Sequence, residues 1–175
     1  LFLAKSENGL IVPGTDSFDL ADEVEALFDF YGALAEENGV TLRLEGSGQV
    51  TGDRLMLRRA IGNLLSNALR YTPSGGRIVV TVSVVRDSTD TETVHLAVEN
   101  TGDPIPPEHL SRLFDRFYRV DASRRHSGDG AGLGLAITRS ILRSHGGDIE
   151  GRTGEGCNIF EMWISTSIVT PRSTD

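Results

Sequence analysis

The sequence predicts a two-layer α/β sandwich, in which a mixed but mostly antiparallel sheet is covered by three helices. Three stretches place apolar residues at helical spacing, and each is bounded by a capping residue or a glycine. Between them lie short β-branched runs joined by polar turns, which favour hairpins over a doubly wound parallel sheet. A chain of 175 residues with 38% hydrophobic content is long enough to bury the core of one such domain.

The first two helices are delimited by N-cap candidates and helix breakers. Residues Asp16 to Asp19 supply candidate caps for a helix that runs up to Gly39. Asp53 is the expected N-cap of the second helix, which ends before Pro73 because the residue preceding a proline avoids helical dihedral angles. Both helices carry an apolar stripe at helical spacing, so we expect both to pack on the sheet.

The strands are predicted from runs rich in β-branched residues. The run from Ile78 to Val85 is nearly continuous, so we expect a buried strand there. A short helix is expected after Pro106-Pro107, and a third long helix from Leu133 to the pair Gly146-Gly147. The other expected strands lie at 40–44, 94–98, 148–153 and 157–165, and the expected turns lie at 46–48, 87–93 and 154–156.

Composition and charge exclude several classes of protein. The net charge of −8 disfavours nonspecific binding to nucleic acid or anionic membranes, and no apolar run is long enough for a transmembrane helix or a signal peptide. A single cysteine, Cys157, rules out an internal disulfide framework. We expect one domain at 16–167, preceded at 1–15 by the end of a helix that stops at Gly9, and followed by a disordered tail at 168–175.

A polar face on the second helix carries the main chemical signal of the chain. Asn63, Asn67 and Arg70 are spaced at i, i+4 and i+7, so they share one face of the helix. A carboxamide oxygen is a hard ligand that suits Mg²⁺, and an arginine is a bidentate phosphate donor. The alternative interpretation is an ordinary solvated helix face, which this spacing alone does not exclude.

A glycine-rich run from Gly128 to Gly134 opens the third helix. Backbone N–H groups can approach phosphate oxygens in such a run, and the helix dipole adds favourable charge. A Rossmann fingerprint would need a strand directly before the glycines, and a Walker loop would need a lysine after them, but the only lysine of the chain is Lys5. The segment 119–131 contains little that could pack, so we expect it to form a mobile lid.

Four blocks of the sequence, in order, resemble the motif boxes of sensor histidine kinases. Residues 63–71 resemble the N box, 100–104 the first glycine box, 113–119 the F box and 130–135 the second glycine box, with a weaker third glycine box at 154–157. The resemblance covers residues 16 to 166 and implies the Bergerat (GHKL) fold, with an ATP lid. Asn100 together with the Pro-Ile-Pro sequence that starts at Pro104 is similar to sensor kinases that respond to copper and silver.

The resemblance implies that the domain binds ATP and Mg²⁺ and transfers the γ-phosphoryl group to a histidine outside this chain. It implies that Asn67 binds Mg²⁺ and that Asn63 orients the attacking group. It further implies that Arg70 and Arg119 contact phosphates and that Tyr71 lies beside the ribose and base. Catalytic roles are thus implied for Asn63, Asn67 and Arg119. The other implied nucleotide contacts are Asn100, Gly102, Pro104, Ile105, Phe117, Tyr118, Gly130, Ala131, Gly132, Leu133, Gly134 and Leu135.

The chain departs from the family pattern at Asn100, where the first glycine box usually begins with an aspartate. The side-chain oxygen of Asn100 can still accept a hydrogen bond from the adenine amine, but without charge assistance. None of the four histidines has the sequence context of the phosphoacceptor. The implied partners are therefore the protein's own dimerisation domain, in a homodimer, and a response regulator.

The resemblance also implies a cytoplasmic domain of a bacterial inner-membrane protein, with no nucleic acid partner and no direct membrane contact. Two alternatives stay open, namely a stand-alone ATPase of the same fold and a degenerate module that only binds nucleotide or docks partners. Asn63 counts against the first, because an amide does not titrate near neutral pH and so cannot act as the general base that activates water. Asn100 is the best support for the second.

Overall fold

A mixed sheet of five strands forms one layer of the molecule, and helices form the other. The structure is a computed structural model that describes residues 13–120 and 132–166. The strands are β1 (Asp16–Asp19), β2 (Thr41–Gly46), β3 (Gln49–Gly52), β4 (Arg77–Arg86), β5 (Glu92–Thr101), β6 (Asp148–Gly154) and β7 (Cys157–Ser165). The helices are α1 (Leu20–Glu37), α2 (Arg54–Tyr71), α3 (Pro107–Leu110) and α4 (Gly134–Ser144).

The five strands follow the order β2-β4-β5-β7-β6. β2 and β4 are parallel, since the chain crosses between them through α2, whereas β4–β5, β5–β7 and β6–β7 are antiparallel pairs. The predicted α/β sandwich with a mostly antiparallel sheet is therefore confirmed, and so are its three long helices and the one-turn helix α3. Within the described part of the chain, none of these helices combines the length and the apolar character that crossing a bilayer requires.

One face of the sheet supplies most of the hydrophobic core. On β5 the alternating residues Val94, Leu96 and Val98 are at most 1% exposed, because they point toward the apolar stripe of α2. The opposite face of β4 is largely open in the described structure, since Thr81 and Ser83 are exposed and Val85 is 47% exposed. Val84, at the end of the inner face, is also 46% exposed. The expectation of a buried strand at 78–85 thus holds for one face only, since a β-branched run does not reveal which face a helix covers.

Two short strands, β1 and β3, were missing from the prediction. They pair antiparallel, and the paired residues Phe18 and Val50 are both buried. Only Asp19 of the predicted capping segment caps α1, because its Oδ1 accepts hydrogen bonds from the N–H groups of Ala21 (2.8 Å) and Gly48 (3.1 Å). The residues before Asp19 are extended, and a four-residue strand with one buried side chain leaves no periodic signal in the sequence.

A buried carboxylate joins α1 to the start of α2. The Glu23 side chain is 0% exposed, and its two oxygens accept hydrogen bonds from the Nε atoms of Arg54 and Arg58, each at 2.5 Å. Two guanidinium groups offset the cost of removing the carboxylate from water, which an unpaired buried charge could not do. This clamp fixes the rotation of α2 about its axis and therefore decides which of its faces is free for function.

His145, just after α4, ties this helix to the start of α2. Its Nε2 accepts a hydrogen bond from the Asp53 N–H at 3.0 Å, and its Nδ1 lies 2.7 Å from the Ile141 carbonyl oxygen. A carbonyl oxygen can only accept, so Nδ1 carries the proton and the ring is neutral. Burial lowers the pKa of His145, although the Ile141 carbonyl and the nearby Asp53 carboxylate oppose the shift.

We predict that the domain loses stability as the pH falls below the ordinary histidine pKa of about 6.5. A lowered pKa in the folded state means that the unfolded chain binds the proton more readily, so acid favours unfolding. For one proton, the free energy of unfolding cannot change by more than about 1.4 kcal/mol per pH unit. Urea unfolding between pH 8 and 5 should show that this free energy depends less on pH in His145→Gln, which retains the other histidines. Equal slopes in the two proteins would contradict the neutral, buried ring.

Candidate functional site

The polar face predicted on the second helix lies on α2 as expected. Leu57, Ile61 and Leu64 are buried at 2% exposure or less, while Asn63 and Asn67 are half-buried on a different face of the helix. The Asn67 carboxamide makes no hydrogen bond to any residue that the structure describes. Asn67 therefore presents an amide oxygen that is available to a ligand.

Asn63 connects α2 to the first turn of α4. Its Nδ2 donates to the Gly134 carbonyl oxygen at 3.1 Å and lies 3.3 Å from the hydroxyl of Thr138. Thr138 is 0% exposed, and its hydroxyl lies within reach of the carbonyl oxygens of Gly134 (3.0 Å) and Ala60 (3.5 Å). The polar face of α2 and Gly134, the last residue of the glycine run, are thus in direct contact.

Among the residues that the structure describes, no side chain caps the N-terminus of α4. Leu133 occupies the N-cap position and makes no capping hydrogen bond, and Gly134 at the first helical position is exposed. The first N–H groups of a helix have no partner within the helix, and the dipole makes this end positive. An anion such as a phosphate is the chemically complementary ligand for this end of the helix.

The F-box segment closes against the glycine run through backbone contacts. The Phe117 N–H donates to the Gly132 carbonyl oxygen at 3.0 Å, and both residues have positive φ angles, of 62° and 71°. The Phe117 ring is 69% exposed, whereas Tyr118 is half-buried, contacts His109 through its hydroxyl and lies under the Arg112 guanidinium, 4.3 Å from the ring centroid. Tyr118 thus anchors the segment while Phe117 projects outward.

Residues 100–105, which we call the first glycine loop, begin at the C-terminal end of β5. Asn100 is 3% exposed, and its Nδ2 donates to the Thr101 carbonyl oxygen at 3.1 Å. A flipped amide would bring two oxygens together, so the side-chain oxygen of Asn100 remains the acceptor. A Cβ atom on Gly102 would lie 3.1 Å from the Tyr71 carbonyl oxygen, which makes glycine the residue that fits against the end of α2.

Sequence reasoning missed Asn158, the residue that braces the first glycine loop. Asn158 is 4% exposed, and its amide bonds to the backbone of Asp103 and Ile105, while the Thr153 hydroxyl donates to its oxygen at 2.9 Å. A signal for it was present, since Asn158 falls in the inward phase of β7, where the following inward residues are apolar. A polar residue in an apolar phase indicates a buried hydrogen-bonding role.

The other predicted site residues differ in how the structure places them. Arg70 is exposed at the end of α2, Arg119 is half-buried, and both are engaged in interactions. Ile105 and Leu135 are partly buried against the core, whereas Pro104 is exposed. Outside the described residues lie Gly130, Ala131, the predicted lid from residue 121 onward, the helix end predicted at 1–9 and the predicted tail.

The described site residues form three groups, at the N-terminus of α4, at the contact between Phe117 and Gly132, and at the first glycine loop. Helix α2 contributes to the first and the third. Asn63 contacts the N-terminus of α4, and Tyr71 contacts the first glycine loop. Eight residues of helix separate these two contacts, which corresponds to about 12 Å along the axis. The N-terminus of α4 and the buried amide of Asn100 therefore lie at different points along α2. This arrangement suits an extended ligand with an anionic end and a polar, hydrogen-bonding end.

Comparisons with known proteins agree with the resemblance that the motif boxes carry. The model of the family described as "Histidine kinase-, DNA gyrase B-, and HSP90-like ATPase" matches residues 52–168. The sensor histidine kinase CusS of Escherichia coli strain K12 is 56% identical over 150 residues, which are 85% of this chain but 30% of CusS. The chain therefore spans less than a third of the length of this relative.

Solved structures of histidine kinases share the fold. The nucleotide-free catalytic domain of histidine kinase ThkA superposes with a TM-score of 0.75 at 25% identity, covering 87% of this chain and 95% of that domain. ThkA in complex with the response regulator protein TrrA gives a TM-score of 0.74 at 22% identity, covering 95% of this chain and 46% of that one. At 22% identity, the likeness to the complexed ThkA shows a shared fold and nothing more.

The contact between Gly132 and the F-box segment generates a prediction on stability. A Cβ atom on Gly132 would lie 3.0–3.1 Å from backbone atoms of Phe117 and Tyr118, whereas one on Gly156, which has the same φ of 71°, would meet nothing within 4 Å. Gly156→Ala should therefore cost only the left-handed backbone strain, about 1–2 kcal/mol. Gly132→Ala should cost about 1–3 kcal/mol more because of the clash.

Urea unfolding of both alanine variants beside the unmodified chain measures this difference. Since the two glycines share the same φ, the comparison separates the steric clash from the conformational cost. Equal losses of unfolding free energy would show that the F-box segment does not pack on Gly132 in solution.

Proposed function

Because the chain belongs to the family of histidine kinase-, DNA gyrase B- and HSP90-like ATPases, we propose that it is the ATP-binding catalytic domain of a two-component sensor histidine kinase. The observation that carries the proposal is the contact between Asn63 and Gly134, which joins the N box to the second glycine box. The 56% identity to the sensor histidine kinase CusS supports a kinase over other members of the family.

ATP spans the two ends of the site in this proposal. The triphosphate lies at the N-terminus of α4, which no described side chain caps and where the first N–H groups and the helix dipole attract anions. Arg70 and Arg119 add positive charge there, as the kinase motifs imply. The adenine amine donates to the side-chain oxygen of Asn100, and Tyr71 lies beside the ribose and base.

The residues present fit a magnesium ion carried in with the nucleotide. Mg²⁺ prefers oxygen ligands and is bound in kinases through one or two protein groups together with substrate phosphates. The Asn67 amide oxygen, half-buried and without a partner among the described residues, is such a group. When bound, the ion neutralises charge on the phosphates during phosphoryl transfer.

Asn63 favours transfer to a protein nucleophile over hydrolysis. Its amide cannot remove a proton from water, and its Nδ2 already donates to the Gly134 carbonyl oxygen. Asn63 thus positions the glycine run and leaves its own oxygen to orient the attacking group. This favours the kinase over a stand-alone ATPase of the same fold. A degenerate docking module is the remaining alternative, and direct measurement of ATP binding tests it.

The activity of the whole protein follows from its similarity to sensor histidine kinases. The γ-phosphoryl group passes to a histidine on the protein's own dimerisation domain, in a homodimer, and then to a response regulator. The chain is a cytoplasmic domain of a bacterial inner-membrane protein, and this domain contacts neither membrane nor nucleic acid. In these terms the chain supplies nucleotide binding and the catalytic groups, while the acceptor and the sensor lie elsewhere.

Asn67→Ala should abolish productive use of Mg-ATP, because it removes the one protein ligand assigned to the metal. Loss of such a group lowers phosphoryl transfer by on the order of 10²-fold or more. The measurement is transfer of labelled phosphate from ATP to a separately produced dimerisation domain. Asn38→Ala, at the exposed C-cap of α1, is the matched control and should transfer at the unmodified rate. Unchanged transfer by a folded Asn67→Ala protein would refute the assignment.

Asn100→Ala should weaken binding of ATP but not of inorganic tripolyphosphate, because only the base loses a partner. A lost buried hydrogen bond costs about 1–3 kcal/mol, or roughly 5- to 150-fold in affinity. Calorimetric titration with each ligand measures the two affinities separately. An equal loss for both ligands would mean that Asn100 supports the site as a whole and does not contact the base.

A further inference from the structure

We propose that Asn158 is a positioning residue, which holds the first glycine loop in the shape that binds the nucleotide base. The proposal rests on the function proposed above, because it concerns the affinity of the same site. Asn158 lies on β7, outside the four boxes that carry the main family resemblance, and its side chain reaches the loop from the neighbouring strand. Asn158 thus contributes to nucleotide selection although it does not itself touch the nucleotide.

The Asn158 amide bonds to the loop as a peptide group of an added strand would. Its Oδ1 accepts from the Ile105 N–H at 3.1 Å, and its Nδ2 donates to the Asp103 carbonyl oxygen at 2.8 Å. With only 4% of the residue exposed, water cannot readily replace either bond. One side chain therefore satisfies a donor and an acceptor of the loop at the same time.

The loop depends on this side chain because its own sequence is poor in backbone donors. Pro104 and Pro106 flank Ile105, and Pro107 follows, so the Ile105 N–H is the only backbone donor between residues 104 and 107. A buried N–H without a partner costs free energy. The adjacent prolines have no N–H, so none of them can form a hydrogen bond to β7 in place of the Ile105 N–H. Asn158 thus supplies the partner that fixes this part of the loop.

The orientation of the Asn158 amide is settled by its partners. A backbone N–H can only donate and a backbone carbonyl can only accept, so the oxygen faces Ile105 and the nitrogen faces Asp103. The Thr153 hydroxyl, 2.9 Å from Oδ1, adds a donor on the oxygen side. An aspartate at this position would retain the acceptor but would place a carboxylate oxygen against the Asp103 carbonyl.

Asn158 acts on the base through the residue that faces it across the sheet. Asn100 and Asn158 are paired in the β5–β7 register, and a Cβ atom on Gly102 would lie 3.4 Å and 3.6 Å from their Nδ2 atoms. The Gly102 N–H is held separately by the Gly156 carbonyl oxygen at 3.0 Å. Loss of the Asn158 bonds would release the backbone of Asp103 and Ile105 from β7, so the shape around Asn100 would loosen while the phosphate end stayed intact.

The test compares Asn158→Asp and Asn158→Leu in the full 175-residue chain. Asn158→Asp loses only the donor, and Asn158→Leu loses all three bonds without adding a charge. Asn38→Asp, on the exposed end of α1, repeats the Asn-to-Asp change away from the site as the matched control. Calorimetric titration with Mg-ATP and with magnesium tripolyphosphate reports base-dependent and phosphate binding separately.

We expect both Asn158 variants to bind ATP about 10-fold or more weakly, with tripolyphosphate binding unchanged and Asn38→Asp unaffected. Unchanged ATP affinity, or equal losses for the two ligands, would overturn the positioning role. Circular dichroism that shows both variants to be unfolded would overturn it as well, because Asn158 would then support the whole fold. If the unmodified chain does not bind ATP, the proposed function fails instead, so the two failures are distinguishable.

Discussion

The packing of α4 against α2 is the constraint on which the rest of the site depends. At its centre lies the Thr138 hydroxyl, fully buried between the two helices, with Asn63 as donor and backbone carbonyls as acceptors. A buried hydroxyl without partners would cost about 1–3 kcal/mol, so the helices cannot slide past each other without losing this network. Because the network includes Gly134, it also fixes where the uncapped helix end lies relative to α2.

The same two helices are fixed a second time at their opposite ends. His145 bonds to the backbone at the start of α2, and a Cβ atom on Gly52 would lie 2.6 Å from its ring, so a larger residue there would displace it. Glu23 then sets the rotation of α2 through two arginines. Three independent contacts thus fix the position and rotation of α2. The polar face of this helix is therefore oriented by contacts that lie outside the site itself.

Local signals explain how much of this could be predicted from the sequence. The cap at Asp53, the helix before Pro73 and the hairpin strands are encoded within a few residues, and they lie where predicted. The inward phase of β7 indicates locally that Asn158 is buried, but its partners Asp103 and Ile105 could not be predicted, because they lie more than 50 residues earlier in the chain. Likewise, the inner and outer faces of β4 depend on which side the helices occupy, and a β-branched run carries no information on that.

The position of the site follows from where the core ends. Along β5 and β7 the inward-facing residues are apolar until Asn100 and Asn158, which face each other at one end of the sheet. Burying two amides there is tolerable because each has backbone partners, whereas two charges would have required counter-ions. The neutral pair leaves the end of the core buried yet polar, which is the environment where a single hydrogen bond discriminates well between ligands. The ends of two interior strands thus supply a buried polar pair, and the N-terminus of α4 supplies a positive helix end.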